Sequence, residues 1–244
     1  MTTIMRGHGL LLATMLILCL MPLATSFAGI PVTTVTRYKV SAKGFSIGDV
    51  ITTQRMTDDG GASKVQFETK TEVRASFLWM GYRLSSTEKG TLLKGRLVSY
   101  FHERKENGAT VDVEGRLENG AFRFDVREHG VARTIVIPRS SYDYTTMECP
   151  EAQLDFSERP HITLRVLDVE KMVVVKRDYL LVRNASCTVA GKEYPCRIVD
   201  FSDLNKSARR WIAWDGAAVV MYRQDGKGGK HSYSVQATSV TKEM

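Results

Sequence analysis

Alternation of apolar and polar positions with a period of two runs almost end to end along this chain. In KVQFETKTEVR, Val65, Phe67, Thr69, Thr71 and Val73 take one side, and Lys64, Gln66, Glu68, Lys70, Glu72 and Arg74 the other. TVDVEGRL sets Val111, Val113 and Leu117 against Asp112, Glu114 and Arg116, and FRFDVR places Phe122, Phe124 and Val126 between charges. Successive side chains of a strand point to opposite faces, so this is the pattern of a sheet with one buried and one wet face. Turn signals separate the runs: DDGG at 58–61, ENG at 106–108 and again at 118–120, EHG at 128–130, and DGKGG at 225–229. HITLRVLDVEKMVVVKRDYLLV reads as two further strands, and the segment from Arg209 to Val240 as three closing ones. The pattern predicts roughly a dozen strands in an antiparallel meander.

One segment breaks the alternation. RSSYDYTTMECPEAQLDF, between Pro138 and Pro160, has room for a short helical turn, with Ser140 or Ser141 as its cap and Pro150 limiting its continuation. A sheet of this size curls, closes or splits rather than staying flat. The predicted fold class is therefore all-β: a large, strongly curved antiparallel sheet, a half-open barrel with little helix. Its apolar interior would include Val65, Phe67, Val111, Val113, Phe122 and Phe124. Such a face needs a cover: a helix, a plug from residues 139–158, a partner or a ligand.

The ends change the picture. Arg6 in a short basic start, the apolar run Leu10–Leu23 and the small residues Ser26 and Ala28 predict a signal peptide over 1–28, cleaved before Gly29. The run is too short to span a bilayer, which takes roughly 20 apolar residues, and it contains Pro22. Residues 29–244 are then expected to form a single β domain without a transmembrane segment, periplasmic or secreted. The formal charge of +7 falls to +6 once Arg6 is removed. Basic and acidic residues are interspersed, as in HERKENG, and no basic cluster carries interleaved aromatics, so no nucleic-acid partner is expected.

Export places the remaining cysteines, Cys149, Cys187 and Cys196, where disulfides persist. LLVRNASCTVAGKEYPCRIVDF reads as strand, turn, strand. With AGKE as the turn, Cys187 and Cys196 face each other directly and form the expected disulfide. Pro195, which has no N–H to give, belongs at a non-hydrogen-bonded or edge position. Cys149 is left open between pairing with a hairpin cysteine, a free thiol and a link between chains. The spacing offers neither four metal ligands nor a C-x-x-C pair.

Other chemistry is unsupported by spacing. There is no G-x-S-x-G, DGKGGK runs into a strand rather than a helix, and His102, His129, His161 and His231 read as exposed strand or turn residues. No catalytic residue, cofactor or metal site is expected. Trp211 and Trp214, three apart, should face opposite sides of a strand. The preferred reading packs one of them in the core while the other shields an edge or rim, over a cavity mouth formed by Trp79 and Trp214.

YKVSAKGFSIGDV (Tyr38 to Val50), PRSSYDYTTM and WIAWDGAAVVMYRQDG together resemble a family of exported bacterial proteins of unknown function, itself distantly similar to the LolA/LolB-like outer-membrane lipoprotein carriers. The resemblance implies an unclosed, strongly curved sheet with an apolar interior, and it implies no catalytic residues. Three functions follow in order: an exported, non-enzymatic protein holding a lipid, a lipidated protein or another apolar ligand; a structural or assembly protein docking another envelope protein; and a hydrolase, which would need histidines and carboxylates gathered in one cleft. The sequence leaves the oligomeric state undetermined.

Overall fold

The computed structural model describes residues 31–59, 62–77, 80–215, 218–228 and 231–243. The leader expected at 1–28 and Trp79 lie outside the described residues. The strands are β1 (Val32–Ala42), β2 (Phe45–Asp59), β3 (Ala62–Phe77), β4 (Met80–Leu93), β5 (Arg96–Glu106), β6 (Ala109–Glu118), β7 (Ala121–Glu128) and β8 (Val131–Pro138). They continue with β9 (Tyr144–Thr145), β10 (His161–Asp168), β11 (Val173–Val189), β12 (Lys192–Ser202), β13 (Lys206–Asp215), β14 (Ala218–Gly228) and β15 (His231–Glu243). All belong to one sheet, in the order β8-β7-β6-β5-β4-β3-β2-β1-β15-β14-β13-β12-β11-β10-β9. Every pairing is antiparallel except β9 with β10.

Tight hairpins drive this order. Asn107–Gly108 and Asn119–Gly120 have positive φ at both central residues, the turn whose twist matches the flanking strands. Lys43–Gly44, Lys94–Gly95, His129–Gly130 and Ala190–Gly191 do the same without asparagine. With register fixed at the turns, the alternation decides the faces: on β7, Phe122, Phe124 and Val126 are buried while Arg123, Asp125 and Arg127 are exposed.

The concave face is crowded, and glycine relieves it. Gly115 lies opposite Phe124 on β7, and a Cβ there would stand 2.6 Å from Phe122 Cε1 and 3.1 Å from Phe124 Cδ1. Gly90 lies opposite Phe67, whose Cζ would be 2.3 Å from an added Cβ. Each ring occupies the space a side chain would need, which lets the sheet curl tightly.

Residues 139–158 fold into the concavity as a plug: a 3₁₀ turn over Arg139–Ser141, β9, a second 3₁₀ turn over Thr146–Glu148, and the single-turn helix α1 (Pro150–Gln153). Two sequence expectations change here. Pro150 opens α1 at its first position, where proline's missing N–H costs nothing, instead of limiting a helix. Ser141 Oγ donates to the Pro138 carbonyl and caps no helix.

Between β14 and β15 the sheet forks. They pair only from Arg223–Gln236 to Gly228–His231. Beyond that, β14 pairs with β13 alone and β15 with β1 alone, and both pairings shift register at the fork, at Trp211/Ile212 and at Arg37/Tyr38. Register shifts of this kind bend strands and end pairing. The β11–β12 hairpin outruns β13, whose pairing with β12 begins at Arg197. Its tip lies across the fork, Cys187, Val189 and Cys196 packing with Val220 and Tyr222 of β14 and Ala237 of β15. The Tyr194 ring stacks on Tyr222 at 5.2 Å.

A disulfide joins Cys187 and Cys196 within this arm, with Cα atoms 6.2 Å apart. The direct opposition expected from an AGKE turn is not the register found. Ala190–Gly191 alone makes the turn, so Val189 pairs with Lys192, Cys187 with Tyr194 and Ala185 with Cys196. The cysteines are diagonal neighbours on one face, still within bridging range. Pro195 lies opposite Ser186, beyond the end of the β13 pairing, where the missing N–H leaves no ladder bond broken.

Candidate ligand cavity

The plug divides the half-barrel into a packed and a hollow part. On the packed side Phe122, Phe124, Val113, Leu97 and Tyr100 close on Tyr142 of the plug and on Leu167 and Val169, with Val111 partly buried against them. Phe122 and Phe124 are 0% exposed, with ring centroids 4.8 Å apart. A second cluster, Phe156, Val166, Tyr179, Val199 and Phe201, fills the space under β10–β13. Between the plug and the walls β1–β4 and β13–β15 a cavity of about 610 Å³ remains. Of the six residues expected to form the apolar interior, Val65 and Phe67 line this cavity, whereas Val111, Val113, Phe122 and Phe124 belong to the packed cluster.

Polar clamps hold the plug. Glu148 accepts from the Leu97 N–H at 2.9 Å and from Arg96 at 3.2 Å, which fastens the second turn to the start of β5. Asp143 forms a two-pronged pair with Arg165 of β10, whose guanidinium hydrogen bond holds the Asp143 carboxyl below the usual range. Glu151, almost wholly buried in α1, pairs with Arg210 of β13, and Arg210 also donates to Gln224 at 2.5 Å. Arg197 donates to the Leu154 carbonyl at 2.8 Å. Beside them Arg177, 2% exposed, lies between Asp203 at 2.7 Å and Asp168 at 3.6 Å, and Lys206 reaches Asp168 at 2.9 Å.

The cavity lining is mainly apolar: Val50, Val65, Phe67, Leu92, Met147, Ile212, Val219, Met221 and Val235. Val219 and Met221 of β14 and Val235 of β15 bring the fork into its wall, and Gln54 Nε2 crosses from β2 to donate to the Val219 carbonyl at 2.7 Å. Trp214 is 44% exposed and borders the cavity, on the face of β13 that it shares with Arg210 and Ile212 and opposite to Trp211, as their spacing of three predicts. Trp211 is half-buried, with the Arg223 guanidinium 4.9 Å from its ring.

Polar side chains interrupt this lining, among them Thr52, Thr69, Lys94, Gln153 and Arg210. Cys149, in a left-handed backbone conformation at φ 46°, has no disulfide partner among the described residues, and burial pushes its thiol up to about 12. Glu88 of β4 is half-buried, and its pKa is raised to about 7. Burial is the main cause; the Tyr100 hydroxyl, donating at 2.7 Å, opposes it, and Glu170 adds to it. His102, expected to be exposed, is buried: it shares the inward parity of Tyr100, and burial lowers its pKa. His129 is exposed in its turn, His161 stands on the outer surface 3.4 Å from Asp178, and the His231 side chain lies outside the described residues. Among the described residues, no group of three or more His, Cys, Asp and Glu is placed to hold a metal ion.

Glu88 gives a pH signature. An unfolded Glu ionises near ~4.3, the folded one near about 7. As pH rises between these values the unfolded chain loses its proton first, so stability drains across that window and the deficit then stays constant. Glu88→Gln is expected to raise Tm relative to the parent at about pH 8 and to give no gain at about pH 4. Thermal melts at the two pH values check it.

No family model matches the chain. The search among curated proteins also returned no match. Among solved structures, the chain is similar to a beta-barrel-like protein of domain of unknown function DUF1849 from Brucella abortus, with TM-score 0.61 and 10% identity over 88% of this chain and 98% of that one. At that identity the likeness shows the fold alone. It supports the expected unclosed, curved sheet, while the expected likeness to lipoprotein carriers rests on the sequence cues only.

Proposed function

We propose that this protein is an exported, non-enzymatic carrier that holds a lipid or another apolar ligand inside its half-barrel. The observation that carries this reading is the cavity of about 610 Å³, walled mainly by Val, Leu, Met and aromatic side chains although the plug fills the rest of the concavity. Its volume lies within the ~300–1,000 Å³ of small-molecule sites. The leader pattern and the disulfide support an oxidising, extracytoplasmic location. No helix among the described residues is long and apolar enough to cross a membrane.

Filling the cavity tests the reading. Met221→Trp adds bulk on the fork side of the wall. The uncharged probe N-phenyl-1-naphthylamine is expected to brighten on binding the parent protein, and to lose at least about fivefold in affinity with the variant. Equal affinities in parent and variant would remove the cavity as the binding site.

One observation favours a docking scaffold as the second reading. Strand β8 ends the sheet order and carries Val131 and Val136 at 66% and 57% exposure, an apolar edge of the kind partner strands extend.

A further inference from the structure

The chemistry of the cavity wall narrows the ligand class, provided the cavity is a ligand site as proposed above. Two carboxylates line it, Glu88 and Glu148. Glu148 is matched by Arg96 and the Leu97 N–H. Two cations border the cavity as well: Lys94, exposed in the turn between β4 and β5, and Arg210, which Glu151 and Gln224 already hold. Glu88 stands apart, with one hydrogen bond, from Tyr100, and no ion pair among the described residues.

The groups that act on it include no free cation. Across the β4–β5 ladder Glu88 faces His102, whose buried ring is held toward the neutral form. Tyr100 on β5 is a neutral donor, its hydroxyl pKa pushed far up by burial. The charged groups acting on Glu88 from beyond β5 are Glu170 and Asp168, which oppose its ionisation, and Lys206 of β13, which favours it and is already paired with Asp168. From the plug, the Cys149 thiol is kept protonated. A half-buried carboxyl in an apolar wall is stabilised by a cation brought from outside, and a second anion would add to the repulsion.

We propose that the guest of this cavity is an amine-headed amphiphile, with an apolar chain against Val65, Phe67 and Met221 and a protonated primary amine paired with Glu88. Uptake of such a guest replaces the missing counter-ion and draws Glu88 into its ionised form. A carboxylate-headed guest of the same length is drawn to Lys94 and the shared guanidinium of Arg210 and repelled by Glu88, and a neutral alcohol gains a hydrogen bond at most.

The test is displacement of N-phenyl-1-naphthylamine by dodecylamine, dodecanol and laurate, at about pH 8.5 and about pH 5.5. Dodecylamine is expected to compete at least about tenfold better than dodecanol at the higher pH, one pKa unit being a factor of ten. The advantage should vanish at the lower pH, where Glu88 is protonated, and vanish at both in Glu88→Gln. Tyr100→Phe removes the hydrogen bond that favours the carboxylate, so the midpoint of the amine advantage should move to higher pH. That variant carries the test if Glu88→Gln fails to show a native β circular dichroism spectrum. Dodecylamine and dodecanol competing equally at the higher pH, an amine advantage intact in Glu88→Gln, or an unmoved midpoint in Tyr100→Phe would overturn the amine class and leave the apolar-ligand reading standing. Failure of all three amphiphiles to displace the probe would overturn both.

Discussion

Replacing Arg177 by Met is expected to destabilise the protein by about 3–5 kcal/mol. The guanidinium is 2% exposed and lies between the buried carboxylates of Asp203 and Asp168, with the Phe201 ring 4.7 Å away. Methionine keeps most of the volume and removes the charge, leaving Lys206 as the cation beside two buried carboxylates. An uncompensated buried charge is what makes a single deletion in such a cluster severe, even where the intact cluster adds little net stability. The effect should depend on pH. Burial alone would raise the Asp203 carboxyl, but the Asn205 N–H, Arg177 and the Lys206 N–H together hold it below the usual range. A depressed folded pKa contributes stability above the unfolded value of ~3.9 and loses it as pH falls through the folded value. The gap between parent and variant should be largest near neutrality and shrink toward about pH 3. Urea denaturation at both pH values measures it, and adding Asp203→Asn should recover part of the loss.

Phe124→Ala is expected to cost a comparable ~3–5 kcal/mol. The ring is wholly buried, 4.8 Å from Phe122 and edge-on to Tyr100 at 6.5 Å, and it covers the space over Gly115. Its neighbours are hydrogen-bonded strands of one sheet and cannot collapse into the void, so both transfer and cavity terms apply. Val65→Ala offers the contrast. Val65 already borders the cavity, so its truncation enlarges a space that exists and should cost about 1–2 kcal/mol. The ratio of the two losses, read from midpoints of chemical denaturation, reports directly whether the interior is half packed and half hollow.

The sheet was legible because its two signals are local. Period-two alternation needs only neighbouring residues, and Asn-Gly turns fix the hairpin register within a few positions, as at Asn107 and Asn119. Where a turn lacked that signature, the reading slipped: Ala190–Gly191 closes its hairpin in two residues, and the cysteines became diagonal rather than opposed. The division of the interior was not legible. Val65 and Phe124 carry the same alternation, and only the path of residues 139–158 decides which of them meets another side chain. The fork between β14 and β15 depends on irregularities at Trp211/Ile212 and Arg37/Tyr38, which have no composition of their own. Glu88 sits in SSTEKGT, a polar stretch with no apolar partner to mark its face. Its parity with Leu84, Gly90 and Leu92 was the one available signal. Nothing in the sequence marks Glu148, Glu151 and Arg210 for burial, because what buries them comes from 50 or more residues away, as the separations of 52 and 59 in their pairs show.

The cavity and the arm over the fork belong to one account. The disulfide-stapled tip of β11–β12 rests on Val220, Tyr222 and Ala237, on both sides of the opening, while Val219 and Met221 face the cavity from the same stretch of β14. The most direct measurement is native mass spectrometry of the protein purified from its own source, followed by organic extraction of bound material. The account expects a reproducible lipid-sized adduct on a polypeptide two mass units below its fully reduced value. A bare polypeptide mass that does not change after exposure to envelope lipids would contradict it.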